Sequence, residues 1–187
     1  LCVKLVTLKS KKYDGFIDLA TKKKRFPSTN ARFCTDELKS KPAIDYVLSH
    51  SEHLIIIEGI RKNESFKRSL MEPECMYFRY YFQPMTNGKT HSYRIKDVRE
   101  WCKKYNADKF RPVFDWTADQ VIQYIKENGQ QPNLLYYQGF SRVGCFPCIM
   151  ARHGEIKQIM EVYPERIDEL KEYEKQTGRK FFPPDYI

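Results

Sequence analysis

No apolar run in these 187 residues approaches the ~20 needed to cross a bilayer, and no short apolar segment with a small-residue cleavage site opens the chain. No membrane partner is expected, and the cytoplasm is the expected compartment. Internal repeats and low-complexity tracts are also lacking, which argues against a solenoid or a disordered linker. Neither a serine–histidine–acid triad nor a pair of catalytic carboxylates can be picked out, so the simplest hydrolase readings fall away. Acidic residues are the minority charge: 24 Asp and Glu stand against 33 Lys and Arg, a formal charge of +9. A surface of that sign favours polyanions such as nucleotides or nucleic acid.

What is present suffices for a folded core. Hydrophobic residues make up 41% of the chain and aromatics 14%, and the length fits one domain over residues 1–187. Cys2 to Leu8 alternates like a strand, which suggests that more sequence lies upstream. A basic segment, Lys9 to Arg25, follows and reads first as a solvated face. Cys34-Thr35-Asp36-Glu37 looks like a helix start with Thr35 as cap, and Pro42 fits the first turn of a helical piece reaching Leu48. The run Leu54-Ile55-Ile56-Ile57 is apolar on both faces, as a central parallel strand would be. Tyr77 to Phe82 is an aromatic stretch that period alone leaves between strand and helix, with Asn87-Gly88 as a turn. Val98, Trp101, Cys102 and Tyr105 fall at helical spacing on one core stripe. Thr117 and Gln120 form a capping box, Gly129 is a natural stop, and Pro164 divides or restarts a final charged helical region, Glu155 to Glu174.

Six cysteines without a secretion signal read as thiols or metal ligands. The sharpest signal is Cys145-Phe146-Pro147-Cys148, since two thiolates separated by two residues can reach one metal ion or two corners of a cluster. A redox dithiol is the rival reading, and a pair of inert thiols the plainest one. Cys34 is the best third ligand, with Arg32 and Lys39 beside it and a helix start to favour the thiolate. For the fourth, Cys75 in the irregular Glu72-Pro73-Glu74-Cys75 segment is chosen over Cys102, while His153 could complete a zinc site instead. A cationic constellation, Arg32, Lys39, Arg61, Arg68 and Arg111, is interleaved with Ser28 and Ser65. Gly59 stands where a strand ends, at the edge where ligands bind in open α/β sheets.

In order along the chain stand Pro27-Ser28, Arg32-Phe33-Cys34-Thr35 with Leu38-Lys39, Gly59-Ile60-Arg61 with Glu64-Ser65, Arg111-Pro112 with Asp115-Trp116-Thr117, and Gly144-Cys145 with Cys148. This series resembles the phosphoadenosine phosphosulfate (PAPS) reductase-like family over nearly the whole chain. The resemblance implies an α/β fold: a Rossmann-like, adenine nucleotide alpha-hydrolase-like parallel sheet flanked by helices, with an adenine nucleotide at the carboxyl ends of the strands. It also implies sulfur reduction or transfer, with an electron or sulfur donor protein as partner. A four-iron four-sulfur cluster would be held at positions matching Cys34, Cys145 and Cys148, zinc being the alternative metal, and the segment around Arg61 would contact the substrate's anionic part. Three departures bear on this. Phe33 stands where cluster-bearing reductases have a second adjacent cysteine, which leaves the fourth ligand open. The family's N-terminal strand and SGGxDS phosphate loop are missing from this sequence, and so is a cysteine after Cys148. Two readings follow from different classes: an enzyme of sulfonucleotide or ATP-dependent sulfur chemistry, DNA phosphorothioation included, or a zinc-stabilised, non-catalytic nucleic-acid-binding or interaction module.

Overall fold

The computed structural model describes residues 3–84, 88, 90–140 and 143–182, so Cys2 and Asn87 lie outside the described residues. In chain order its elements are helices α1 (Phe16–Lys23), α2 (Phe33–Thr35) and α3 (Lys41–Leu48), then strand β1 (Leu54–Ile57) and helix α4 (Phe66–Ser69). Strand β2 (Glu74–Met76), helix α5 (Ile95–Cys102) and strand β3 (Ala107–Phe110) follow, and then helices α6 (Ala118–Glu127), α7 (Leu134–Tyr137), α8 (His153–Val162) and α9 (Pro164–Thr177). A π-helical turn, Asp36–Ser40, joins α2 to α3. The chain sorts into two compact units, Leu1–Ala43 with Asn133–Ile187, and Ile44–Pro132.

The first unit is helical among its described residues. Ile156 and Ile159 of α8, Ile167 and Leu170 of α9 and Ala20 of α1 fill its core, closed by the edge-to-face rings of Phe26 and Phe181. Pro164 stands at the start of α9, where its missing N–H costs nothing, so the final charged region is two helices. Residues 3–8 do not form the expected strand. Val3 and Leu5 are 77% and 90% exposed, and an alternating pattern becomes a strand only where another strand satisfies its backbone, which this unit does not offer among the described residues. Thr35 is not a cap either: its backbone is already helical and no side-chain cap bond forms, so Cys34 sits within the first turn.

The second unit carries the sheet, which is small and mixed, in the order β1-β3-β2. Strand β3 is central, parallel to β1 in the register Leu54↔Ala107 and antiparallel to β2 in the register Cys75↔Lys109. One sheet face, with Leu54, Ile56 and Ala107, packs against Ile44 and Val47 of α3 and Val98 and Trp101 of α5. The Trp101 indole N–H donates to the His50 carbonyl at 2.7 Å, satisfying the ring's polar atom. The α/β class is therefore as expected, but β1 is an edge strand among the described residues, and its alternate side chains Ile55 and Ile57 are 76% and 70% exposed. Cys102 also departs from expectation: it is exposed at the rim of the α5 stripe, which Val98 and Trp101 occupy. The aromatic stretch after β2 is a series of turns, with Phe78 and Tyr81 buried.

The capping box forms as its residues predict. Thr117 Oγ1 accepts from the Gln120 N–H at 3.2 Å, and the Gln120 side chain accepts from the Thr117 N–H at 2.8 Å. Gly129 takes the left-handed conformation with φ 68° just past the end of α6. Thr117→Ala should lower stability by about 1 kcal/mol in urea unfolding, because one helical N–H loses its partner. Thr117→Ser, which keeps the acceptor, should recover most of that loss.

Candidate functional site

The first unit contains a cavity of about 380 Å³ lined by Cys34, Cys145 and Cys148 together with Arg32 and Lys39. Helix α2 supplies Cys34, the π-helical turn supplies Lys39, and the loop between α7 and α8 supplies the other two thiols. π-helical turns often accompany functional sites, since the added residue re-aims the side chains around it. Apolar groups, among them Phe16, Leu38 and Ile149, form much of the remaining wall.

The sulfurs are not equivalent. Cys145 is exposed, whereas Cys34 and Cys148 are half-buried. Lys39 Nζ donates to Cys145 Sγ at 3.7 Å, and the Met150 N–H donates to Cys148 Sγ at 3.4 Å. The hydrogen bond from the Cys148 thiol, followed by the charge and hydrogen bond of Lys39, holds the Cys145 thiol down to about 5 against the opposing effect of desolvation. Cys145 is therefore a thiolate at neutral pH in the metal-free chain. Arg32, which also lines the cavity, donates from Nη2 to Thr35 Oγ1 at 3.4 Å.

Helix α9 contributes a wall that the sequence reading missed. Arg166, Glu169 and Tyr173 line the cavity, with Tyr173 Oη donating to Glu169 Oε1 at 2.7 Å and Arg166 Nη1 donating to Glu169 Oε2 at 3.1 Å. Tyr173 and then Arg166 hold the Glu169 carboxyl below its usual range. Their spacing of three and four residues along one helix face was the available signal.

The remaining expected site residues fall elsewhere. Ser28 belongs to the first unit, where its Oγ accepts from the Ala31 N–H at 3.1 Å in a turn. Gly59, Arg61, Ser65, Arg68, Arg111 and Cys75 belong to the second unit. Because β1 and β3 run parallel, Glu58-Gly59 and Arg111 leave the sheet at the same carboxyl edge, where ligands of open α/β sheets bind. A Cβ on Gly59 would meet nothing within 4 Å, so the backbone there is open to approach. Glu64 pairs with Arg68 and, at 3.6 Å, with Arg61, while Ser65 caps α4.

Arg111 is buried, only 5% exposed. Its Nη2 lies 2.9 Å from Glu58 Oε2, and its Nη1 donates to the Glu72 carbonyl at 2.5 Å and to Cys75 Sγ at 3.6 Å. Lys109 Nζ is 3.3 Å from the other Glu58 oxygen and 4.7 Å from the centre of the Tyr77 ring. Burial, reinforced by the Glu58 charge, pushes the Tyr77 hydroxyl up to about 12. Glu58 is thus the hub of this cluster, and an acid directly after an apolar strand was the sequence signal for it. Cys75 is placed beside Arg111 in this unit. Exposed His153 opens α8 and is not among the residues lining the thiol cavity. Among the described residues no group of three His, Cys, Asp or Glu side chains is arranged to hold a metal ion.

Fold and site together define an α/β protein with a thiol-lined, cation-flanked cavity in one unit and an arginine-bearing strand edge in the other. The chain belongs to the phosphoadenosine phosphosulfate reductase domain family, whose model matches residues 6–151. It is 35% identical over 164 residues to an uncharacterised 37.8 kDa protein of Escherichia phage 186, covering 86% of this chain and 42% of that protein. An uncharacterised protein of Methanocaldococcus jannaschii is 26% identical over 174 residues, which are 93% of this chain and 35% of the relative. An adenosine 5'-phosphosulfate reductase of Rhizobium tropici is 35% identical over 93 residues, half of this chain and 49% of that enzyme. The chain thus spans less than half the length of these relatives. No solved structure is a significant match. No described helix is long and apolar enough to cross a membrane.

Proposed function

We propose that the chain is the thiolate-bearing part of an enzyme that binds an adenine nucleotide, a sulfonucleotide or ATP, and reduces or transfers sulfur. The observation that carries this reading is the convergence of Cys34, Cys145 and Cys148 on one cavity with Lys39 and Arg32 beside them. Family membership and the partial match to an adenosine 5'-phosphosulfate reductase support the substrate class. In the second unit, Gly59, Arg61 and Arg68 follow the carboxyl edge of the parallel pair, suited to the anionic groups of a nucleotide in a Rossmann-like arrangement, while Arg111 is held there by Glu58.

Three cysteine sulfurs lining one cavity have the donor chemistry of a thiophilic cluster, although among the described residues they are not gathered around a single ion. Cys145 and Cys148 are in mutual contact, Cys145 is already held as thiolate, and Cys34 opens onto the same cavity. We assign these three sulfurs as ligands of a four-iron four-sulfur cluster; Cys75, which the sequence suggested as the fourth, belongs to the second unit beside Arg111. Such a cluster would supply electrons or a fixed local charge, and the residues themselves bind and orient: Lys39 places a positive charge against Cys145, and Arg32 adds a second cation to the cavity wall.

The test is anaerobic purification with metal and acid-labile sulfide measured per chain beside the visible spectrum. About four iron and four sulfide are expected, falling several-fold in Cys145→Ser and Cys148→Ser. About one zinc without sulfide would replace this reading with the zinc-stabilised, non-catalytic module. No metal of either kind would overturn both.

A further inference from the structure

We propose that Cys145 and Cys148 also form a dithiol–disulfide couple, in which Cys145 attacks an oxidising disulfide and Cys148 resolves the adduct, so that disulfide and bound metal exclude one another. This deepens the metal reading by giving the same two sulfurs a redox-controlled alternative. It depends on the pair being functional thiols and not on which metal they hold.

The geometry supplies each requirement. Cys145 and Cys148 stand two residues apart on one loop and line the same cavity, a spacing at which a disulfide can close. Accessibility sets the order, for Cys145 is exposed and Cys148 half-buried. An external disulfide therefore meets Cys145 first. Lys39 Nζ, 3.7 Å from that sulfur, places a positive charge beside the attacking group. Cys148 is held by the Met150 N–H at 3.4 Å and stays in place to attack next. Cys34 lines the same cavity from α2, and the proposal leaves it a free thiol.

With glutathione disulfide as oxidant, the step balances. Cys145 Sγ attacks one glutathione sulfur, the glutathione S–S bond breaks, and the leaving thiolate takes up the proton that Cys145 gave up. Cys148 Sγ then attacks Cys145 Sγ, its proton going to the second glutathione as it leaves. The protein loses two electrons and two protons, and two reduced glutathiones carry them. A sulfur within a disulfide is no longer a thiolate donor, so the closed pair cannot ligate metal.

The full chain should be treated with glutathione disulfide in two forms, as isolated with its metal and after anaerobic chelation, then mapped by mass spectrometry of its peptides. The chelated form is expected to lose two hydrogen atoms and yield a Cys145–Cys148 disulfide that a phosphine reductant reverses. The metal-loaded form should oxidise at least tenfold more slowly. Cys148→Ser should stop at one glutathione on Cys145, and Cys34→Ser should give the same disulfide as the parent. A disulfide that includes Cys34, a stable glutathione adduct on the parent chain, or equal oxidation of loaded and chelated protein would overturn the proposal. The parent-chain map needs no variant to fold. Absence of metal in the isolated protein would sink the metal reading and the exclusion with it. The chelated-form map would still decide the disulfide on its own.

Discussion

In the metal-free chain, Cys145 should be alkylated by iodoacetamide roughly tenfold faster at pH 6 than an ordinary exposed thiol, with a rate profile whose midpoint lies near pH 5. The magnitude follows from two opposing effects. A thiol titrating at about 5 is mostly thiolate at pH 6, whereas one near 8.5 is thiolate only to about 0.3%, a roughly 300-fold difference in the reactive form. The more acidic sulfur is also the weaker nucleophile, and a Brønsted slope of about 0.45 over some three and a half units returns roughly 40-fold. Acidity wins at pH 6, and above about pH 7, where a thiol near 8.5 is already about 3% thiolate, the order should reverse. Cys148→Ala should raise the midpoint, since the Cys148 hydrogen bond is the largest single cause, and Lys39→Met should raise it too, since the ammonium contributes both charge and a hydrogen bond. A midpoint that stays near 5 in both variants would refute this account of the thiolate.

The same shift has a sign for stability. The folded-state value of Cys145 lies below the unfolded one, so its stabilising contribution is complete above the unfolded thiol's value and disappears as pH falls through about 5. Cys145 is exposed, so solvent screens that contribution and the effect belongs to reactivity more than to folding.

Local chemistry was legible in the sequence wherever a short segment carries its own instruction. Thr117 and Gln120 cap α6 through their own side chains, and Pro164 starts α9 because proline fits a first helical turn. The Cys145 and Cys148 pairing was readable from its two-residue spacing, whereas Cys34 reaches the same cavity only through the fold, and its flanking cations and the resemblance to the family are what pointed to it. What depended on distant partners was not. Leu54 to Ile57 is apolar throughout, which fits a strand covered on both faces, yet nothing in four residues states which neighbour lies at its far edge. The alternation of Val3, Leu5 and Leu8 likewise describes a side-chain pattern without naming a strand to pair with. Arg111 was read as a free cation for an anion, whereas its nearest charge is Glu58, 53 positions earlier, met only because β1 and β3 run side by side.

That pairing carries the second large effect. Glu58→Gln should destabilise the protein by about 3–5 kcal/mol, and Arg111→Gln should cost clearly less. The two changes remove opposite halves of one ion pair but leave different residues behind. Without the Glu58 charge, a guanidinium whose side chain is only 4% exposed keeps the Glu72 carbonyl and the Cys75 sulfur as partners and has lost its counter-ion. Without Arg111, Glu58 is 23% exposed and still holds Lys109 at 3.3 Å, so its charge remains partly hydrated and paired. Replacing both by methionine removes both buried charges and should recover much of the loss, because desolvation then opposes folding at neither site. Urea unfolding of the two single variants and the double variant measures this directly. Equal losses in the two single variants would show that Lys109 does not hold Glu58 when Arg111 is gone, and additive losses in the double variant would show that the pair itself is not what the burial penalises.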